Sequence, residues 1–242
     1  TFIIPVYHFW DKIKYTVGLK LYDWIAGKLS LGKSVFVSRK ETLQQLPGIK
    51  EAGLLGGVSY HDGQFDDSRL AINVAQSIAE NGGFVLNYAK VTALVKDHNG
   101  KLNGATVTDM EKSGSYQVKA LSIVNATGVF VDDILRMDNA EAGQTVVASQ
   151  GIHLVVDKKF YPSAHALMIP ETSDGRVLFA VPWHNEVVLG TTDTPVGKPS
   201  LEPQALEKEI NFILQTASAY LHQPPTRKDV LSVFAGLRPL AA

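Results

Sequence analysis

The sequence predicts a mixed α/β (α+β) chain in two parts: a portion of an α/β nucleotide-binding domain carrying an inserted antiparallel meander, and a strand-rich second domain backed by helices. Three observations predict it. A helix striped by Leu70, Ala71, Val74, Ala75, Ile78 and Ala79 is followed by short β-prone runs separated by turn residues, and the series ends in the small-residue segment Asn125-Ala126-Thr127-Gly128. A meander inserted in a crossover between parallel strands produces that order. Beyond it, strand-like runs at 151–156, 176–182 and 186–190 precede a second amphipathic helix. The 242 residues, 45% of them hydrophobic, are enough to bury a sizeable core.

The elements follow in chain order. Residues 7–31 interleave rings (Tyr7, Phe9, Trp10, Tyr15, Tyr22, Trp24) with Lys12, Lys14, Lys20 and Lys28 at the spacing of amphipathic helices, predicting a helix pair. Two placements are open: rings packed inside the protein, or helices lying on an anionic membrane surface with their lysines snorkelling. Asp66 and Asp67 begin the 70–79 helix at the positive end of its dipole, and Gly82-Gly83 closes it. Strands are predicted at 84–88, 91–96, 105–110 and 116–124, with turns at Asn99-Gly100 and Lys112-Ser113-Gly114. In the second domain, Pro203 starts a helix striped by Leu206, Ile210, Ile213, Leu214, Ala217 and Leu221.

Composition excludes several functions. A net charge of -1 and a pI near 6.6 provide no basic field for nucleic acid. With no cysteine there is no disulfide, thiolate metal site or cysteine nucleophile, which agrees with a reducing compartment. His61 lies among Asp62, Asp66 and Asp67, but no further ligands follow at zinc-site spacing, so no metal is expected. No Gly-x-Ser-x-Gly elbow or Walker loop is present. The opening Phe2-Ile3-Ile4-Pro5-Val6 is too short for a leader or a membrane span, and both ends read as cuts in a longer protein.

Four places carry candidate chemistry. Strand periodicity in 151–156 puts Ile152, Leu154 and Val156 on one face and His153 on the other, the one titratable group in an apolar run. It is either a core histidine with a satisfied hydrogen bond or a general base. Gly236-Leu237-Arg238-Pro239 predicts a tightly turned backbone that aims Arg238, either as a clamp on phosphate or oxyanion or in a surface ion pair. Gly190-Thr191-Thr192-Asp193 follows an apolar strand and offers backbone N–H groups and short hydroxyls to a flat ring; a strand-ending turn has the same composition. Asn125-Ala126-Thr127-Gly128 is small enough to let a dinucleotide cross the end of a sheet.

The order of these phrases resembles the FAD-dependent glycerol-3-phosphate dehydrogenases of the glycine-oxidase and D-amino-acid-oxidase fold group. The resemblance covers nearly the whole chain. It rests on Tyr7-His8-Phe9-Trp10, the run from Tyr60-His61-Asp62-Gly63 to Leu70, Asn125 to Gly128, Gly151 to Val156, Pro182-Trp183 with Gly190 to Asp193, and Gly236 to Leu240. It implies oxidation of sn-glycerol-3-phosphate to dihydroxyacetone phosphate, with hydride passing to FAD and electrons to a quinone at the membrane.

By position, the resemblance implies that His153 takes the hydroxyl proton and that Arg238 binds and polarises the substrate. Val91 and Ala126-Thr127-Gly128 would contact the adenosine and pyrophosphate parts of FAD; Gly190, Thr191, Thr192, Asp193, Gly236 and Leu237 would be further cofactor contacts. It assigns 61–135 and 226–242 to the FAD-binding domain and 1–60 and 136–225 to the substrate-binding or cap domain. It places the protein in the cytoplasm, peripherally on the inner face of the cytoplasmic membrane.

Two departures stand out. Val129-Phe130 replaces the family's Pro-Trp, and the Gly-x-Gly-x-x-Gly turn is missing, so this span alone is expected to bind FAD poorly. The alternatives are a glycerophosphate oxidase or an amine oxidase of the same fold, or a noncatalytic domain that docks on a membrane or a partner through residues 7–31.

Overall fold

The computed structural model describes residues 1–172 and 175–242, which form two compact units. The first comprises residues 1–63 and 149–237, the second 64–148 and 238–242.

The chain runs β1 (Phe2–Val6), α1 (Phe9–Ala26), β2 (Val35–Ser38), α2 (Arg39–Gln45), β3 (Gly56–Tyr60), α3 (Asp67–Glu80), β4 (Ala89–Lys96), β5 (Leu102–Asp109), β6 (Ser115–Lys119) and α4 (Val131–Asp138). It continues with β7 (Val146–Asp157), β8 (Ala166–Ile169), β9 (Leu178–Trp183), β10 (Glu186–Gly190), β11 (Thr194–Val196), α5 (Glu207–Tyr220) and β12 (Val230–Ala241).

In the first unit a mixed sheet is ordered β11-β7-β10-β9-β8-β1-β3-β2, with β12 also paired to β7. β1 runs parallel to β8 and antiparallel to β3. The alternation read in 151–156 holds: Ile152, Leu154 and Val156 are fully buried, and α5 closes over that face with Ile210, Ile213 and Ala217. Burial of such side chains at roughly 25 cal/mol per Å² of apolar surface is the main force holding this layer. Strands β1 to β3 and β8 were not anticipated, nor was α2, although Ser38 and Glu41 spell its start: Glu41 N–H donates to Ser38 Oγ and Ser38 N–H to Glu41 Oε2.

The expected helix pair at 7–31 is one helix, α1, followed by a single 3₁₀ turn at Gly27–Leu29. It buries none of its residues; Trp10 is 76% and Trp24 79% exposed, so these rings do not pack in the interior. Asp23 instead anchors the helix end, accepting from Ser34 N–H at 2.6 Å and from its hydroxyl at 2.8 Å.

In the second unit Asp66 caps α3 by accepting from Arg69 N–H at 3.0 Å, and Gly82 leaves the helix at φ +79°. β4, β5 and β6 form the expected meander, turning at Gly100 (φ +78°) and Ser113 (φ +59°). Asp132 ties the end of this unit together, its carboxylate accepting from Thr145 N–H, the Thr145 hydroxyl and Val146 N–H. Those bonds, the Thr145 hydroxyl foremost, hold its carboxyl below the ordinary aspartate value.

Four expectations are corrected. Residues 84–88 lie outside any ladder and the strand expected at 116–124 stops at Lys119, leaving Phe84 94% and Leu121 100% exposed. An extended run becomes a strand only when a neighbour takes up its N–H and C=O groups. The last helix begins at Glu207 rather than at Pro203, because the Gln204 carbonyl is drawn off to the Gln150 side chain. Finally, Gly236 to Pro239 are not a tight turn but lie within β12; Gly236 has no positive φ, and a proline is tolerated where its missing N–H faces away from a ladder.

Leu154→Ala removes a fully buried side chain from the sheet face under α5. The expected loss is about 2 to 5 kcal/mol, to be measured as a lowered urea midpoint with an unchanged slope.

Candidate active site

His153 is built by three strands. It faces away from Ile152 and Leu154 on β7, and the antiparallel register sets it directly opposite Gly190 on β10. A Cβ on Gly190 would lie 2.2 Å from His153 Cδ2, so only glycine leaves room for the imidazole there. From β12, Phe234 stacks on the same ring with centroids 5.0 Å apart and planes 15° from parallel. The histidine is thus half-buried, oriented by a missing side chain and by an aromatic plate, with ring nitrogens suited to proton transfer.

The segment after Gly190 is bolted down from inside. Thr192 accepts from Ile152 N–H at 3.0 Å and donates to Glu209 Oε1 at 3.2 Å; Thr194 donates to the same oxygen at 2.6 Å. Glu209 Oε2 accepts from Gln150 Nε2 at 2.8 Å and from Leu206 N–H at 2.9 Å. The Ser149 hydroxyl donates to Asp193, and the Thr191 hydroxyl to the Thr192 carbonyl. Glu209 is only 2% exposed. Burial pushes its carboxyl up, but the bonds from Thr194, Leu206, Gln150 and Thr192 outweigh burial and hold it below the ordinary glutamate value.

Arg238 is half-buried on β12, where a period of two gives it the same strand face as Phe234 and Gly236; Leu237 points to the other. In the second unit Asn125 shapes the loop ahead of α4, donating from Nδ2 to the Val131 carbonyl at 2.9 Å and accepting the Thr127 hydroxyl at 2.7 Å. Ala126, Thr127 and Gly128 are exposed; Gly128 sits at φ +57° with nothing within 4 Å of where a Cβ would project. Val129-Phe130 continue as a 3₁₀ turn into α4. Val91 is half-buried at an irregularity of β4, where pairing with β5 slips between Val91 and Ala93; such bulges re-aim neighbouring side chains.

The sequence reading missed Phe234, Gln150, Ser149 and Glu209. Reading 230–241 as a strand would have placed Phe234 on the face of Arg238. Nothing local marks Glu209, since its partners lie up to 59 residues away.

Residues 4–242 match the model of the DAO family, described as FAD dependent oxidoreductase. The chain belongs to this family. It is 39% identical to a protein named glycerol-3-phosphate dehydrogenase, mitochondrial, of Schizosaccharomyces pombe, covering 98% of this chain and 38% of that protein. It is 36% identical to the Homo sapiens protein of that name, over 98% of this chain and 34% of the other. The chain thus spans little more than a third of the curated relatives it matches. A solved glycerol-3-phosphate dehydrogenase from Bacillus halodurans, complexed with FAD, superposes with a TM-score of 0.80 at 30% identity, over 100% of this chain and 44% of that one. An L-alpha-glycerophosphate oxidase from Mycoplasma pneumoniae, 18% identical over 99% of this chain and 61% of that one, shares the fold with a TM-score of 0.75.

Of the positions expected to meet FAD, Gly128 has open space where a Cβ would stand, so its exposed loop is compatible with close approach of a dinucleotide to the backbone.

Two outcomes follow. Gly190→Ala forces a methyl group into the imidazole, so the His153 ring resonances are expected to shift and stability to fall by about 1 to 3 kcal/mol, read by NMR and urea unfolding. Because the native Glu209 carboxyl is held low, the unfolded chain takes up this proton first as the pH falls. The stability it contributes is complete above the ordinary glutamate value of about 4.3 and is lost as pH drops through the lower native value. Glu209→Gln should flatten that acid limb of the stability profile.

Proposed function

We propose that the protein carrying this chain oxidises sn-glycerol-3-phosphate to dihydroxyacetone phosphate and delivers the electrons to a quinone. The observation that carries this reading is a histidine fixed by Gly190 and Phe234 on a chain 39% identical to a glycerol-3-phosphate dehydrogenase. FAD, when bound, supplies the acceptor for the hydride that leaves C2. His153 takes the proton of the C2 hydroxyl, so that the C2–O bond becomes a carbonyl as the C2–H bond breaks. Arg238 binds and polarises the substrate oxygen.

Residues 61–135 with 226–242 are assigned to flavin binding and residues 1–60 with 136–225 to substrate binding. Val91, Ala126, Thr127 and Gly128 would hold the adenosine and pyrophosphate portions of FAD. Gly190 to Asp193, with Gly236 and Leu237, would line its reactive end.

The quinone calls for access to a lipid phase, and α1 offers a route. Among the described residues no helix is long and apolar enough to cross a membrane. α1 nevertheless exposes Phe9, Trp10, Val17, Leu21, Trp24 and Ile25 beside Lys12, Lys14 and Lys20, with Lys28 in the turn that follows, a composition suited to lying in an anionic interface. The protein is accordingly proposed to sit peripherally on the inner, cytoplasmic face of the cytoplasmic membrane.

The mechanism is tested by anaerobic stopped-flow bleaching of the flavin in the full-length protein. His153→Asn should keep the flavin spectrum and reduce about 10² to 10⁴ times more slowly. A flavin never bleached by glycerol-3-phosphate would dismiss the substrate; normal reduction of the variant would dismiss the base. Peroxide formation in air without quinone would identify an oxidase instead. For the membrane, sedimentation with anionic liposomes should carry the protein down and weaken with salt. Equal recovery with and without lipid would dismiss that role for α1.

A further inference from the structure

A carboxylate with 2% exposure is an expensive way to join a helix to a sheet, since apolar side chains of similar volume often stabilise a fold as well or better. Glu209 nevertheless stands where α5 begins and gathers four donors from three places: Gln150 on β7, Thr192 and Thr194 after β10, and Leu206 at the helix start. The first two of those places border His153. Gln150 is three residues before it, Thr192 accepts from the N–H of its neighbour Ile152, and Gly190 opposite it leads straight into the bolted segment. What such a satisfied network provides beyond packing is a single geometry.

We propose that Glu209 is a positioning residue for the oxidation described above, fixing the 191–194 segment against β7 and thereby the backbone that faces His153. The proposal rests on that reading of the reaction. Glu209 acts through Thr192 and Gln150 and takes no part in the proton transfer itself.

The two carboxylate oxygens are not equivalent, which makes Glu209→Gln informative. Oε2 receives two N–H donors that cannot be reversed, from Gln150 and Leu206. Oε1 receives two hydroxyls, and these can turn round. The amide introduced by Glu209→Gln therefore settles with its nitrogen toward Thr192 and Thr194. Thr192 then accepts from both that nitrogen and Ile152 N–H, and its own proton needs a new acceptor. The fold is kept, but the segment's geometry relaxes.

The experiment compares Glu209→Gln with the unaltered full-length flavoprotein in anaerobic stopped flow, using sn-glycerol-3-phosphate and, separately, dithionite, which needs no positioned base. The limiting rate of bleaching by substrate should fall by about tenfold to a hundredfold, as expected of a misplacement near 1 Å. Half-saturation by substrate and reduction by dithionite should hardly move. A folded variant bleached by substrate at the unaltered rate overturns the proposal, as does a parallel slowing with dithionite. Should Glu209→Gln fail to fold, Thr194→Val and Thr194→Ser decide: a slow valine variant with recovery in serine supports positioning, and a valine variant at full rate overturns it. If the unaltered protein is itself not bleached by glycerol-3-phosphate while dithionite reduces it, the reading of the reaction has failed and the positioning role falls with it.

Discussion

The candidate site around His153 depends on the alternation of a single strand. β7 presents Ile152, Leu154 and Val156 to the core, and the apolar energy of burying them fixes which way its other residues point. A slip of one residue would send His153 inward and three aliphatic side chains out. Once the core has chosen the register, the histidine's partner across β10 is decided as well, and that partner has to be glycine.

Around this strand the fold uses two kinds of constraint with different purposes. On the core side, dispersion and apolar burial give stability without demanding a particular angle. Hydrogen bonds to Glu209, which comes from α5 on that same core side, and to Asp193, together with the ring of Phe234 against His153, instead dictate angles while each adds only modest net stability. The first kind tolerates repacking; the second does not, because Gln150 and Leu206 offer Glu209 only N–H donors, which cannot reverse.

How far this was legible in the sequence differs by element. The meander could be read because Asn99-Gly100 and Lys112-Ser113-Gly114 determine turns locally. His153 stood out because the run 151–156 around it is otherwise apolar. The β1 to β3 layer was missed because its pairings are distant: β1 joins β3 and β8 across long stretches of chain. Residues 84–88 misled for the opposite reason, since β propensity is a property of the residues but a strand is a property of a pair. Glu209 reads in sequence as an ordinary exposed helix residue, and only the tertiary fold brings four donors onto it. Arg238 was found by type and given the wrong backbone, because glycine and proline together signal a turn more often than a strand.

The second unit leaves many apolar residues exposed: α3 buries none of Leu70, Ile72, Val74 or Ile78, and Phe84, Leu86, Leu121 and Val124 stand in solvent beside backbone with no ladder. Such a surface is adhesive. Its two extended runs combine unclaimed amide groups with greasy side chains, the pairing that seeds intermolecular β-structure and invites proteases and chaperones. Handled on its own, this polypeptide should therefore self-associate through these segments while the core around β7 is still intact.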